Sequence, residues 1–214
     1  MHHNRSYKIL PLSFYRRENV LQIALDLLGK VLVTKIDGKI TSGIITETEA
    51  YAGIHDRASH AYGGRKTNRT KVMYQEGGVA YVYLCYGIHS LFNVVTNKAG
   101  TPHAVLVRGI IPFEGIEIML ERSGKNTVNP TPGNGPGNVA KILGIHFTDT
   151  GTSLSQKNAN SLRKIWIEDS NLLIPKQQIL TTKRIGVDYA GQDADLPYRF
   201  KIKNPEKISG FFLA

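Results

Sequence analysis

The feature that most constrains the fold is a pair of strand-like segments joined by Asp37-Gly38. Residues 30–36 (KVLVTKI) and 39–51 (KITSGIITETEAY) are rich in apolar and β-branched side chains. An Asp-Gly pair between two such runs favours a tight hairpin turn. Further strand-like segments cover residues 79–97, with a break near Tyr86-Gly87, and residues 103–112. Because strands joined by short turns pair antiparallel, the sequence predicts an α+β fold with a curved, largely antiparallel sheet.

Helices are predicted to flank this sheet. Asn19 to Leu28 carries an apolar stripe at helical spacing, and Phe113 to Arg122 has a similar pattern that ends at Ser123-Gly124. Residues 125–138 are rich in Gly, Pro and Asn, which predicts a mobile surface loop, with Asn138 capping a short helix after it. We expect a single compact domain over residues 1–214.

The charge of the chain indicates a polyanionic partner. Lys and Arg number 27 against 17 Asp and Glu, giving a net charge of +10. Such an excess favours nucleic acid or an acidic membrane surface, although a basic surface without a ligand is also open. No run approaches the length of a transmembrane helix, and the first residues lack the apolar stretch of a secretory signal. We therefore expect no membrane contact.

The cysteine content excludes two classes of small protein. Cys85 is the only cysteine, so a disulfide framework is excluded, and neither paired cysteines nor an HExxH spacing supports a zinc site. We expect no metal, no cofactor and a cytoplasmic location, with nucleoid association in a bacterium.

The sequence TETEAY carries the first candidate chemistry. In a strand, alternate side chains share a face, so Glu47, Glu49 and Tyr51 point the same way. A solvent-exposed face without a role is one interpretation. The other is a carboxylate at the floor of a groove beside an aromatic surface, which hydrolysis of a glycosidic bond requires to activate water.

The segment YVYLCYGIHSLFN gives a second candidate. Tyr81 and Tyr83 share one face of the strand, and Tyr86 falls where a hairpin tip is expected. Tyr86 either lies back on the sheet edge or enters a base stack, where an aromatic ring can replace an extruded base.

Three further polar residues stand in or beside apolar segments. His60 is either a structural histidine or a site residue. Arg108 needs a partner if it is buried, and that partner is either an ordinary ion pair or a catalytic carboxylate. Asn93 must form hydrogen bonds if it is buried, and a base edge is one possible partner.

The ordered motifs ETEAY, ASHAYGGR, YVYLCYGIHSLFN, VLVRGI and NGPGNVAKILGI resemble those of the alkyladenine (3-methyladenine) DNA glycosylase family. The resemblance covers roughly residues 11–200. It implies one α+β domain with a protruding β-hairpin that enters the DNA minor groove. It also implies a monofunctional glycosylase of base excision repair, which flips alkylated or deaminated purines out of the duplex and hydrolyses their N-glycosidic bond.

The same resemblance implies a role for each matching residue. Glu49 matches the general base and Arg108 the arginine that holds the carboxylate and its water. Tyr51, His60 and Tyr83 match the side chains that contact the flipped base, and Asn93 matches an asparagine that disfavours guanine. The DNA contacts implied are Tyr86 as the intercalating residue, Ile88 beside it where some relatives carry methionine, and Arg65 at the backbone.

Two other functions stay open on the sequence. A carbohydrate hydrolase could use Glu47 and Glu49 as its carboxylate pair, although the net charge disfavours it. A non-catalytic module that binds damaged DNA would need the same basic surface and hairpin. The expected partner in either DNA-binding case is double-stranded DNA with damaged purines, bound by a monomer.

Overall fold

A computed structural model describes residues 7–124, 133–155 and 161–207. In these ranges the strands are β1 (Lys8–Ile9), β2 (Val31–Ile36), β3 (Lys39–Tyr51), β4 (Ala80–Cys85), β5 (His89–Thr96), β6 (His103–Glu114), β7 (Arg163–Asp169), β8 (Ile179–Thr182) and β9 (Arg199–Ile202). The α-helices are α1 (Leu12–Tyr15), α2 (Val20–Asp26), α3 (Ile116–Ser123) and α4 (Pro136–Leu143). Short 3₁₀ turns occupy several of the connections.

The strands form one antiparallel sheet, which confirms the predicted α+β class. Its order is β1-β7-β2-β3-β6-β5-β4, and β9 pairs with both β3 and β8. β3 is the central strand: β6 lies along one edge, while β2 and then β9 share the other edge. The first half of β3 pairs with β2 and the second half with β9. The second half can therefore curl away from β2, which leaves room for a functional site beside it.

The β2–β3 hairpin forms as predicted. Asp37 and Gly38 both have positive φ values, 52° and 79°, as a type I′ turn requires. The register of β3 against β6 shifts on both sides of Glu47. Such a bulge inserts an extra residue, bends the strand and re-aims its side chains. Here it separates the hairpin half of β3 from the half that contains Glu49 and Tyr51.

Helix α2 packs its apolar stripe against the sheet. The Asn19 side chain accepts a hydrogen bond from the Gln22 N–H and caps the helix, while Val20, Ile23 and Ala24 are buried. The hydroxyl of Thr48 in β3 donates to the Ala24 carbonyl over 2.9 Å. The helix ends at Asp26, two residues before the predicted end, although Leu27 and Leu28 are buried as the stripe predicted.

Two predicted helix starts are wrong. Phe113 belongs to β6, so α3 begins at Ile116 rather than at Phe113. Helix α4 begins at Pro136, not after Asn138, because proline suits the first helical position, where no N–H is needed. Asn138 lies in the first turn and donates to the Asn134 carbonyl over 2.8 Å. Of the predicted loop, residues 125–132 lie outside the described part of the chain.

The β4–β5 hairpin ends the sheet and projects from it. The Ile88 N–H closes the turn on the Cys85 carbonyl over 3.0 Å, and φ is positive at Tyr86 (50°) and Gly87 (73°). Within the described residues, no helix is both long and apolar enough to cross a membrane.

Candidate active site

A cavity of about 220 Å³ opens between the β4–β5 hairpin, strand β6 and residues 185–189. It is smaller than the ~300–1,000 Å³ of a typical drug-sized site, so it suits one flat ring system. Its wall is largely aromatic, and the rings that line it are Tyr51, His60, Tyr81, Tyr83, Tyr86 and Tyr189. Asn93 and Arg108 supply polar groups to the same wall.

Glu49 lies directly beneath this cavity. Its side chain is 0% exposed, but it is surrounded by donors rather than by apolar groups. The Tyr51 hydroxyl donates to Oε2 and the Ile185 backbone N–H to Oε1, each over 2.9 Å, and Arg108 Nε stands 3.3 Å from Oε1. All three donors belong to residues that line the cavity. Glu49 is not itself a lining residue, so its carboxylate sits just beneath the cavity floor, held by three residues that form it.

Burial changes the acid–base character of this group. Desolvation raises the pKa of Glu49, while Arg108, the Ile185 N–H and the Tyr51 hydroxyl lower it, and nearby Glu47 raises it further. The net shift is upward, so the desolvation effect exceeds the stabilisation by the three donors. A carboxylate with a raised pKa is a stronger base than an exposed one.

Glu47 is also buried, so the interpretation of a solvent-exposed strand face is wrong. Arg108 Nε donates to its Oε1 over 3.2 Å, Arg199 Nη1 lies 3.4 Å from the same oxygen, and Lys201 lies 3.9 Å from Oε2. Neither Glu47 nor Glu49 lines the cavity, and the two differ in their partners, since Arg199 and Lys201 do not line it either. Three cations balance the charge of Glu47, and of these only Arg108 reaches the cavity wall. Arg108 connects the two carboxylates and has the partner that its buried position requires.

His60 and Tyr83 form one wall of the cavity. Their ring centroids are 4.6 Å apart in an edge-to-face arrangement, and His60 Nδ1 lies 2.8 Å from the Tyr81 hydroxyl. Burial, together with Arg69 and Arg65, lowers the pKa of His60 to about 4. The imidazole is therefore neutral at physiological pH.

Asn93 reaches the cavity from β5. It is buried, and its amide nitrogen donates to the Tyr81 carbonyl over 3.1 Å and to the Leu91 carbonyl over 3.3 Å. These bonds orient the side chain, so that its oxygen is the end available to a ligand. An acceptor at this position favours a base edge that presents a donor.

The predicted DNA contacts are on the surface near the cavity mouth. Tyr86 is 92% exposed and Ile88 is 74% exposed, so the alternative that Tyr86 lies back on the sheet edge is wrong. Tyr86 also lines the cavity mouth. Arg65 is exposed on the segment that leads to β4, and its carbonyl accepts from the Thr70 and Tyr74 hydroxyls. All three residues predicted to contact DNA are thus exposed, and of these Tyr86 lines the cavity.

A buried ion pair behind the cavity was not predicted from the sequence. Arg184 donates to both carboxylate oxygens of Asp56, over 2.6 and 2.9 Å, and to the Ala50 carbonyl over 2.9 Å. Its guanidinium also stands 4.9 Å from the Tyr51 ring centroid. Arg184 precedes Ile185, so this pair anchors the N–H that binds Glu49. Its only signal in the sequence was an arginine in the apolar run RIGV.

No metal site competes with this arrangement in the described parts of the chain, where no three His, Cys, Asp or Glu side chains come together. The site combines a ring-sized aromatic cavity, a buried carboxylate beneath its floor and an exposed aromatic tip, on a chain with a net positive charge. These features define the class of enzymes that act on a base extruded from nucleic acid.

The sequence comparisons specify this class further. The family described as methylpurine-DNA glycosylase (MPG) matches residues 13–206. A protein of Chlamydia abortus is 47% identical over 199 residues, which cover 92% of this chain and 100% of that protein. One of Desulfitobacterium hafniense is 38% identical over 209 residues, covering 94% of this chain and 98% of its own. Both carry the name "Putative 3-methyladenine DNA glycosylase".

The chain belongs to the methylpurine-DNA glycosylase family. This confirms the family predicted from the ordered motifs. It also places the chain among DNA glycosylases, which are hydrolases of N-glycosyl bonds. The alternative that Glu47 and Glu49 are the carboxylate pair of a carbohydrate hydrolase is therefore wrong.

Proposed function

We propose that this chain is a monofunctional DNA glycosylase of base excision repair that flips alkylated or deaminated purines from duplex DNA. Hydrolysis of the N-glycosidic bond would use a water activated by Glu49. The observation that carries this proposal is the position of Glu49, whose oxygens are held by three residues that line the cavity. One copy of the chain supplies all of these groups, so we propose that it acts as a monomer.

Base recognition would begin at the hairpin. Extrusion of a base costs a few kcal/mol, and less for a damaged pair. An exposed ring that fills the space left in the base stack shifts the equilibrium toward the extruded base. Tyr86 has the required exposure and stands at the cavity mouth. The extruded purine would then lie between Tyr51 and Tyr83, where stacking contributes roughly 1–3 kcal/mol per base. A cationic alkylated purine adds a cation–π attraction of about 0.5–2 kcal/mol.

The chemical step on a cationic purine needs one general base. Glu49 takes a proton from water as the water oxygen bonds to the anomeric carbon, and the C–N bond breaks with its electron pair going to the purine. Arg108 would hold both the carboxylate and the water. A cationic purine leaves as a neutral molecule, whereas a neutral lesion must also gain a proton. No lysine lines the cavity among the described residues, so a Schiff base and strand cleavage are not expected.

The test uses a matched pair of buried carboxylates. Duplex oligonucleotides that contain 7-methylguanine are mixed with excess wild type, Glu49→Gln or Glu47→Gln, and free base is measured in a single turnover. Loss of a general base lowers the rate by about 10²–10⁴-fold, so Glu49→Gln should show this loss with near-normal binding. Glu47→Gln, on the same strand and beside the same arginine, should stay within about tenfold of wild type because only one of the partners of Glu47, Arg108, lines the cavity.

Two outcomes would contradict the proposal. Near-normal base release by Glu49→Gln would remove this carboxylate from the chemical step. Binding of the lesion duplex by wild type without release of any free base would instead identify a non-catalytic module that recognises damaged DNA.

A further inference from the structure

Arg69 stands behind the aromatic wall of the cavity. Its guanidinium carbon is 4.8 Å from the Tyr83 ring centroid, and Nη2 lies 3.2 Å from Nε2 of His60. Arg69 does not itself line the cavity, although both residues that it contacts do. The loop that carries it is anchored by the Thr70 hydroxyl, which donates to the Arg65 carbonyl over 3.0 Å. A permanent positive charge is thereby held against this wall from the solvent side, outside the cavity lining.

We propose that Arg69 is a specificity-determining residue that weakens the preference of the cavity for cationic damaged purines relative to neutral ones. This inference rests on the proposed function, since it concerns which bases that site releases. It assigns to Arg69 a role in the choice of substrate and none in the chemical step.

The first physical reason is competition for the Tyr83 ring. A cation is attracted to the negative face of an aromatic ring, and a guanidinium within about 6 Å of the centroid already uses that attraction. Arg69 is inside this distance. A cationic purine against the same ring therefore gains less, and it also meets the like charge of Arg69, which solvent screens in part because Arg69 is exposed. A neutral purine keeps its stacking energy and meets no such repulsion.

The second reason is the state of His60. Nη2 of Arg69 lies 3.2 Å from Nε2 and 3.5 Å from Nδ1 of His60, so the guanidinium rests against the imidazole ring, and Nδ1 lies 2.8 Å from the Tyr81 hydroxyl. The groups that face this imidazole are Arg65 and Arg69 from the loop and Tyr81 and Tyr83 from β4. Burial and the two arginines hold the pKa of His60 low, so Arg69 is the cation that a base at this wall meets.

The experiment compares release of 7-methylguanine, a cationic base, with release of hypoxanthine, a neutral one. Single-turnover rates are measured for wild type, Arg69→Gln, Arg69→Lys and Lys66→Gln at about pH 8, where His60 is neutral. The Lys66 variant is the matched control, because it removes one positive charge from the same loop, 5.3 Å from the Tyr74 ring and outside the cavity lining.

Arg69→Gln should raise the ratio of 7-methylguanine to hypoxanthine release about two- to fivefold, the equivalent of one cation–π contact at an exposed site of about 0.5–1 kcal/mol. Arg69→Lys keeps the charge and should leave the ratio at the wild-type value. Lys66→Gln should lower both releases by the same factor through weaker DNA binding. These three results separate an effect on base choice from a general loss of affinity or fold.

A pH series adds a readout that a merely structural role would not change. Burial is the largest cause of the low pKa of His60, and Arg69 and Arg65 lower it further. Removal of Arg69 should therefore let the imidazole gain a proton at a higher pH than in wild type, which restores a cation to the wall as the pH falls. The gain in the ratio for Arg69→Gln should therefore be smaller at about pH 5.5 than at about pH 8.

The outcomes distinguish a failure of the role of Arg69 from a failure of the proposed glycosylase activity. If wild type releases both bases and Arg69→Gln leaves their ratio unchanged, or lowers both equally, the role of Arg69 is refuted while the glycosylase stands. If wild type releases neither base, the proposed function is refuted, and this inference with it.

Discussion

Replacement of Tyr86 by glycine separates the contribution of this side chain to DNA from its contribution to the fold. Tyr86 is 92% exposed at the tip of the β4–β5 hairpin, so its removal opens no cavity in the core. Its φ of 50° lies in the left-handed region, which glycine adopts without strain. The substitution therefore deletes the ring and keeps the turn.

The effects of this substitution on the free energy of unfolding and on stacking in the DNA complex can be calculated separately. A non-glycine residue in the left-handed region costs roughly 1–2 kcal/mol, and relief of that strain is offset by about 0.4–1 kcal/mol of extra chain entropy in the unfolded state. The free energy of unfolding should thus stay the same or rise by up to about 1.6 kcal/mol. Loss of the intercalating ring removes roughly 1–3 kcal/mol of stacking, which lowers the flipping equilibrium about 5- to 150-fold.

The assay follows 2-aminopurine fluorescence beside or at the lesion on rapid mixing with protein, together with urea unfolding of the free protein. Tyr86→Phe keeps the ring and serves as the control, and it should behave like wild type in both measurements. An unchanged fluorescence amplitude for Tyr86→Gly, with normal base release, would refute the intercalating role. A loss of stability well above 1 kcal/mol would refute the strain argument.

Two further predictions concern the buried charges. Arg184→Met should lower the free energy of unfolding by about 3–5 kcal/mol, because Asp56 keeps a buried charge without its bidentate partner. Urea denaturation measures this loss. The double variant with Asp56→Asn should regain part of the lost stability, since it removes the unpaired charge. Base release should fall as the pH drops through the raised pKa of Glu49, since the base must be ionised. The acid limb of the rate profile for 7-methylguanine should lie above the pKa of an ordinary glutamate, and an acid limb at or below that pKa would contradict the assignment.

Several parts of the site followed from local sequence rules. The period-2 alternation placed Glu49 and Tyr51 on one face of β3, and the structure joins them by a hydrogen bond of 2.9 Å. The break at Tyr86-Gly87 predicted the hairpin tip that the structure shows. The predicted start of α3 at Phe113 was wrong because β6 continues through Glu114. The predicted start of α4 after Asn138 was wrong because the helix begins at Pro136.

Other parts depended on contacts that no local pattern encodes. Arg69 meets His60 only because a loop folds back over β4, and the Arg184–Asp56 pair joins residues 128 positions apart. The alternation along β3 also could not tell whether Glu47 and Glu49 face water or the interior, since that depends on what covers the strand.

The sequence by itself determined strands β2 to β6, their antiparallel pairing at the two hairpins, the position of the hairpin tip and the family, because these depend on neighbouring residues and on motifs in a fixed order. Only the tertiary structure decided the state of the charges. Ile185 and Arg108 come from distant segments to surround Glu49, and Arg199 and Lys201 do the same for Glu47. Desolvation and hydrogen bonding depend on atoms brought together by folding, so the basicity of a carboxylate is a property of the folded chain.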